Sequence, residues 1–217
     1  MHSKIDAGEL TLLLKEKELF VPAKLVIDKL LGQGKISEAE RGFRVLSEKN
    51  YFLNPKDAVE CAKEIFAEGY ILCESNPQEK TILFFPFDQI FEELIELSKE
   101  EIVIVSPFIS SDFSADLKRF LEPKKSIISI ITNSPKSRIV KESVHKKIIS
   151  NLYEQNFNVK ISKKDFHAKI YLFDNKVAII GSSNFSRKGF FDNYELGVVI
   201  FGNKCSMIRK WINRLLE

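Results

Sequence analysis

Three observations predict an α/β protein with a small helical N-terminal domain, for which a winged helix is one form. From about residue 81 onward, short β-rich apolar runs alternate with helical patterns. Before residue 75, apolar residues recur at helix-like intervals. Between the two stretches, Ser75-Asn76-Pro77-Gln78 interrupts the periodicity. The expected division is an accessory domain over residues 1–78 and a main domain over 79–217.

In the first part, helices are expected over Glu9 to Phe20, Pro22 to Leu31, Ser37 to Lys49 and Pro55 to Glu68. Pro22 and Pro55 suit a first helical turn, and Ser37 followed by Glu40 reads as a capping box. Gly32-Gln33-Gly34 separates the second helix from the third. Helices closed by such turns, followed by apolar Gly69 to Leu72, fit either a winged-helix or helix-turn-helix module that reads DNA or a bundle that supports a dimer. The acidic balance of residues 1 to 80, 12 Lys/Arg against 14 Asp/Glu, weighs against strong DNA binding by the whole of this part.

In the second part, strands are expected over Thr81 to Phe85, Ile102 to Ser106, Ser126 to Thr132, Asn158 to Ile161, His167 to Phe173, Val177 to Ile180 and Tyr194 to Phe201. Helices are expected over Pro86 to Ser98, Asp112 to Leu121, Lys136 to Asn156 and Lys204 to Leu216. Asp174-Asn175-Lys176 has the chemistry of a tight hairpin, which would return Val177 to Ile180 antiparallel to the strand before it.

Composition narrows the class. The 44% hydrophobic residues suffice for a core and the 29% charged residues for its surface. No apolar run of about 18 residues is present, and Met1 to Leu10 is too polar for a secretory signal, so a cytoplasmic protein with no stable membrane association is expected. The three cysteines, Cys61, Cys73 and Cys205, form no Cys-x-x-Cys pair and the chain has three histidines, which argues against a disulfide framework or a structural zinc site. Residues 81 to 217 carry 21 Lys/Arg against 16 Asp/Glu, and Lys136 to Lys169 alone holds nine cations against three acids. That segment can draw a polyanion toward residues 167 to 195, or be only a solvated face.

Residues 167 to 195 hold the most specific pattern in the chain. His167-x-Lys169, Asp174, Gly181-Ser182-x-Asn184 and Glu195 fall within these 29 residues. On a strand, His167 and Lys169 project from one face with Cα atoms about 6.5–7 Å apart, so one phosphate can touch both. The hairpin brings Gly181 to Asn184 back beside the histidine. Glycine allows close backbone approach, and hydroxyl and amide groups offer neutral donors. Asn184 is also placed to begin a short helix, Phe185 to Lys188, whose first N–H groups favour an anion. Asp174, about 20 Å along the strand from His167, is expected in the hairpin turn and in a supporting role. His145 is expected on the surface of its helix. Phe166, Phe185, Phe190, Phe191 and Tyr194 are candidates for stacking on bases, with core packing as the commoner use of such residues.

This order and spacing resembles the HKD signature of the phospholipase D superfamily, and Ser106-Pro107-Phe108 at a strand end resembles it too. The likeness covers about residues 81 to 217 and implies a mixed β-sheet flanked by helices. It also implies that a working site needs two copies of the motif. With one copy here, it is the single-motif, nuclease-like branch that the chain resembles, and a homodimer with the active site at the interface is implied.

The resemblance further implies that His167 of one subunit attacks phosphorus to form a phosphohistidine, while His167 of the other protonates the leaving oxygen and then activates water. Lys169, Ser182 and Asn184 would bind the phosphate, and Glu195 would hydrogen-bond a histidine ring. No metal and no cofactor is needed by such a scheme. The expected function is a metal-independent dimeric endonuclease acting on DNA, with RNA as a second substrate class. The alternatives are a phospholipid phosphodiesterase or phosphatidyltransferase, and an inactive nucleic-acid-binding scaffold.

Overall fold

The structure is a computed structural model and describes residues 3–38, 50–74, 85–110, 113 and 127–217. The chain opens with β1 (Ser3–Asp6), α1 (Ala7–Glu16), α2 (Ala23–Gly32), β2 (Ser37–Glu38), β3 (Asn50–Leu53) and α3 (Pro55–Glu68). A reciprocal capping box starts α1: Glu9 N–H donates to Asp6 Oδ1 at 2.8 Å and Asp6 N–H to Glu9 Oε2 at 3.0 Å. Asn54 caps α3 through Lys56 N–H at 3.1 Å, with Pro55 in the first turn as its missing N–H favours.

The N-terminal part is not all helical. Strands β1, β3 and β2 form an antiparallel sheet in that order, and Ser37 pairs with Phe52. Ser37 therefore begins a strand and not the expected capped helix, because pairing with β3 overrides a local cap signal; the rest of that expected helix, 39–49, lies outside the described residues, as do the expected strand at 81–84 and most of the helix at 112–121.

The remaining elements are β4 (Tyr70–Glu74), β5 (Phe85–Pro86), α4 (Phe87–Leu97), β6 (Glu101–Val105), β7 (Ile127–Thr132), α5 (Glu142–Glu154), β8 (Asn158–Ile161), β9 (Lys169–Phe173), β10 (Val177–Gly181), a π-helical turn (Lys188–Asp192), β11 (Leu196–Phe201) and α6 (Lys204–Asn213). Among the described residues, eight strands make one mixed sheet in the order β5-β4-β11-β10-β9-β6-β7-β8. β6, β7 and β8 run parallel, and β9, β10 and β11 form an antiparallel meander joined to β6.

Strand alternation divides the apolar side chains between two faces. Ile102, Ile104, Tyr171 and Phe173 pack in the larger core with α1 to α5, while Val103, Val105, Ile170 and Leu172 pack in a second core beneath α6. Arg209 of α6 pairs with Glu101 at the start of β6.

The large sheet draws in residues from before the expected boundary at 78. Gly69, at φ 83°, ends α3 in a left-handed conformation that glycine adopts without strain, and the chain turns directly into β4, whose Leu72 pairs with Val198 of β11. The larger core is continuous from Leu10 of α1 to Phe201 of β11.

Helix α2 buries Leu25, Val26, Ile27 and Leu30, and its first turn meets α4, where Lys24 N–H donates to Glu93 Oε2 at 3.0 Å. Burial pushes the Glu93 carboxyl up to about 7, against the pull of hydrogen bonds from the Lys24 and Ala23 backbone.

Candidate functional site

The site forms where β9, β10 and β11 end together. Gly181 pairs with Lys169 on one side and Gly197 on the other. A Cβ at Gly181 would sit 2.6 Å from the Leu196 carbonyl oxygen, so only glycine lets the two strands close at this point.

His167 is exposed, two positions before Lys169, which is only 4% exposed. The Lys169 ammonium donates to the His167 carbonyl at 2.9 Å, and Nζ lies 2.9 Å from the ring Nδ1 and 3.3 Å from Nε2. Burial lowers the Lys169 pKa, and the charge of Glu195 opposes that shift. A cation held this close to an imidazole provides fixed positive charge where an attacked phosphate would place its nonbridging oxygens.

Across the hairpin, Ser182 Oγ donates to Glu195 Oε2 and accepts the Leu196 N–H at 3.1 Å. Asn193 Nδ2 donates to Glu195 Oε1 at 3.0 Å. A phosphate oxygen at Ser182 would have to compete with Glu195 for the hydroxyl hydrogen. Asn184 lies further along the same loop; its Oδ1 is buried, and among the described residues nothing hydrogen-bonds to it.

The structure thus brings His167 to Lys169 and Ser182 to Glu195, with the Glu195 charge felt at Lys169. It places Asp174 at the other end of the hairpin. There Asp174 and Asn175, at φ 47° and 56°, make the expected tight turn. The Asp174 carboxylate accepts from Ser98 Oγ at 2.7 Å and from the backbone N–H groups of Lys99, Glu100 and Glu101 at 2.8, 2.9 and 2.9 Å. Burial alone would raise its pKa; these four donors outweigh burial and hold it below the ordinary range.

Two expectations near the motif are corrected. Asn184 does not start a helix: Phe185 forms an isolated β-bridge with Ile109, and the helical turn begins at Lys188. Phe185 N–H is already taken by Ser106 Oγ at 3.0 Å, just past the end of β6. Phe166, Phe185 and Phe190 are core residues and not free stacking platforms. Phe91 meets Tyr171 edge-on at 5.3 Å and Phe190 at 4.9 Å, and the Tyr171 hydroxyl donates to the Ser183 carbonyl at 2.9 Å. This aromatic floor supports the loop that carries Ser182 and Asn184.

Phe108, 36% exposed, presents its ring at 6.1 Å from the His167 ring and nearly perpendicular to it. His145 is 3% exposed, contrary to the surface position expected for it, and burial lowers its pKa against a hydrogen bond with Asn133 that raises it. Tyr194 is exposed at 67% and is the one candidate stacking residue that lies fully at the surface.

Gly189 supports the loop by absence. A Cβ there would lie 2.4 Å from the Asn184 carbonyl oxygen and 2.8 Å from Ser183 Oγ. Gly189→Ala is expected to push the 182–184 loop outward, costing about 1–3 kcal/mol and lowering turnover more than the loss of folded protein accounts for. Thermal melting together with turnover per folded molecule checks this; a variant as stable and as active as wild type would refute it.

Comparison with protein families gives a match over residues 91–216 to the family described as "Cardiolipin synthase, PLD-like domain". The chain belongs to the phospholipase D superfamily. Among solved structures, similarity is found to Nuc of Salmonella typhimurium, described as a phospholipase D family member, with 18% identity over 67% of this chain and 92% of that one and a TM-score of 0.49. NucT from Helicobacter pylori is 17% identical over 58% of this chain and 84% of its own, with a TM-score of 0.44. Phosphatidylserine synthase of Haemophilus influenzae Rd KW20 is 13% identical over 76% of this chain, with a TM-score of 0.49, and this chain covers 46% of its length. Comparison with curated proteins gives no match.

As a phospholipase D-like phosphodiesterase, the chain carries its motif on the antiparallel half of a mixed sheet flanked by helices. Among the described residues no helix is long and apolar enough to cross a membrane.

Proposed function

We propose that this phosphodiesterase is a dimeric nuclease that cleaves DNA without a metal ion, through a covalent bond between His167 and phosphorus. The observation that carries this reading is the exposed His167 imidazole backed by the buried Lys169 ammonium. A neutral imidazole attacks phosphorus in line, and the bond to the leaving oxygen breaks as that oxygen takes a proton. The proton comes from the imidazolium of a second copy's His167, which then takes a proton from water as water displaces the first histidine from phosphorus. Two such imidazoles need two copies of the motif, and the 217 residues hold one.

Nucleic acid is favoured as substrate by the charge around the motif. Of the nine cations between Lys136 and Lys169, all but Lys169 are exposed. Phosphate contacts from such side chains are independent of base sequence and weaken with salt. Ser182 and Asn184 complete the phosphate cradle, and Glu195 sets the direction of the Ser182 hydroxyl.

The test offers labelled single-stranded DNA, duplex DNA, RNA and vesicles of phosphatidylglycerol to the protein, each with and without EDTA. DNA cleavage unaffected by EDTA is expected. Headgroup release from vesicles with DNA left intact would transfer the proposal to lipid phosphodiesters, and loss of cleavage in EDTA would end the metal-free mechanism.

A further inference from the structure

Just before His167, the backbone is held by a residue two strands away in the sheet. β6 lies between β7 and β9 as far as Val105, which pairs with Ile131 on one side and Ile170 on the other. Past that point β6 turns away at Ser106-Pro107, and proline has no N–H with which to continue a ladder. The space left at the strand ends is bridged by Asn133, the residue immediately after β7, which has no exposed surface at all (0%). Its Nδ2 donates to the Phe166 carbonyl at 2.9 Å, and the Phe166 N–H donates to its Oδ1 at 3.1 Å.

Asn133 is itself held. His145 Nε2 lies 2.9 Å from the Asn133 carbonyl and 3.3 Å from Thr132 Oγ1. A carbonyl oxygen can only accept, so Nε2 carries the hydrogen. Ser162 N–H adds a bond to the Thr132 carbonyl at 2.8 Å. A buried amide that meets both backbone groups of one residue behaves as a strand partner one residue wide, and leaving those groups unpaired is costly.

We propose that Asn133 is a positioning residue for the reaction: by clamping Phe166 at its N–H and C=O, it fixes where the next residue, His167, holds its imidazole. His145, locked on the Asn133 carbonyl, keeps the clamp in place. The inference rests on His167 being the nucleophile of the proposed nuclease reaction. Nucleophilic attack tolerates little displacement, since about 1 Å of misplacement costs on the order of 100-fold in rate.

The test uses bis(p-nitrophenyl) phosphate as a generic phosphodiester, together with ring-nitrogen NMR of His167. Asn133→Ala is expected to lower kcat by about 10- to 100-fold with KM within about 2-fold, because ground-state binding is untouched. The His167 ring signals should also move or broaden. Asn133→Asp keeps the Oδ acceptor for the Phe166 N–H but, when ionised, faces the Phe166 carbonyl with a second acceptor. Its kcat relative to wild type should therefore rise as pH falls and the introduced carboxyl gains the hydrogen that the amide supplied. The titratable neighbours, His145 on α5 and the His167–Lys169 pair after Phe166, are present in both proteins, so the ratio removes the pH dependence that the two proteins share.

Wild-type kcat and unchanged ring signals in Asn133→Ala would overturn the proposal, as would a kcat ratio for Asn133→Asp that is flat with pH. Should Asn133→Ala not fold, the pH ratio of Asn133→Asp decides. If the wild type cleaves no phosphodiester at all, the nuclease reading fails, while the ring signals of His167 still decide whether Asn133 positions it.

Discussion

His167→Ala should lower phosphodiester cleavage by about four orders of magnitude or more while leaving the protein folded. The size reflects removal of the atom that bonds to phosphorus and, in the dimeric site, of the group that protonates the leaving oxygen as well. The stability side rests on exposure: the imidazole lies at the surface, where substitutions typically change stability by no more than about 0.5 kcal/mol. Single-turnover cleavage of labelled DNA and a urea titration measure the two sides separately. Mixing adds a sharper criterion. If each site needs a histidine from both subunits, unfolding and refolding wild type with an equal amount of His167→Ala should give about one quarter of the activity of the same total amount of wild type, since only the wild-type homodimers are complete. A result near one half would mean that each subunit works alone. Full activity of His167→Ala would remove the residue from the chemistry.

How much of the fold and the site is legible in the sequence depends on whether local pattern or distant pairing decides an element. β8, β10, α3 and α4 lie within a residue or so of where alternation, helical periodicity and a first-turn proline put them. The Asp174-Asn175 turn is equally plain, because positive φ at two successive positions selects a narrow set of residue types. The motif itself is readable because its members lie on one hairpin and the strand after it, so spacing along the chain maps onto closeness in space.

The features that escape the sequence are long-range. β1 and β3 are short, and Ser37 looks like a cap until β3 is known to lie beside it. His145 is flanked by Ser143, Lys146 and Lys147, which suggest a surface position, yet it shares the buried face of its helix with Ile148, Ile149 and Leu152, and the carbonyl that takes its hydrogen belongs to the end of another strand. Phe108 meets the His167 ring from beyond the end of β6 and Asn133 bonds the backbone of Phe166 from the end of β7, and no spacing within residues 167–195 points to either. Glu93 likewise becomes meaningful only when α2 is found end-on to it.

Asp174→Asn should cost about 3 kcal/mol of stability and little activity per folded molecule. The substitution keeps a residue type that tolerates positive φ, so the turn is not at issue. It replaces a carboxylate that accepts four hydrogen bonds with an amide whose NH2 must face N–H or O–H donors at the start of β6, leaving at least one or two buried donors unpaired at about 1–3 kcal/mol each. The pH dependence has a definite sign. The folded carboxyl has a pKa below that of the unfolded chain, so its contribution is fully present above about pH 3.9 and is lost as pH falls through the lower folded value. Urea midpoints of wild type and Asp174→Asn should therefore differ by a constant amount from about pH 5 to 8 and converge in stronger acid. Catalysis should hardly change, because the turn lies about 20 Å along β9 from the histidine. A stable variant with turnover lost would instead place Asp174 in the reaction, and would mean that the hydrogen bonds it makes to residues 98–101 are not the reason the motif carries it.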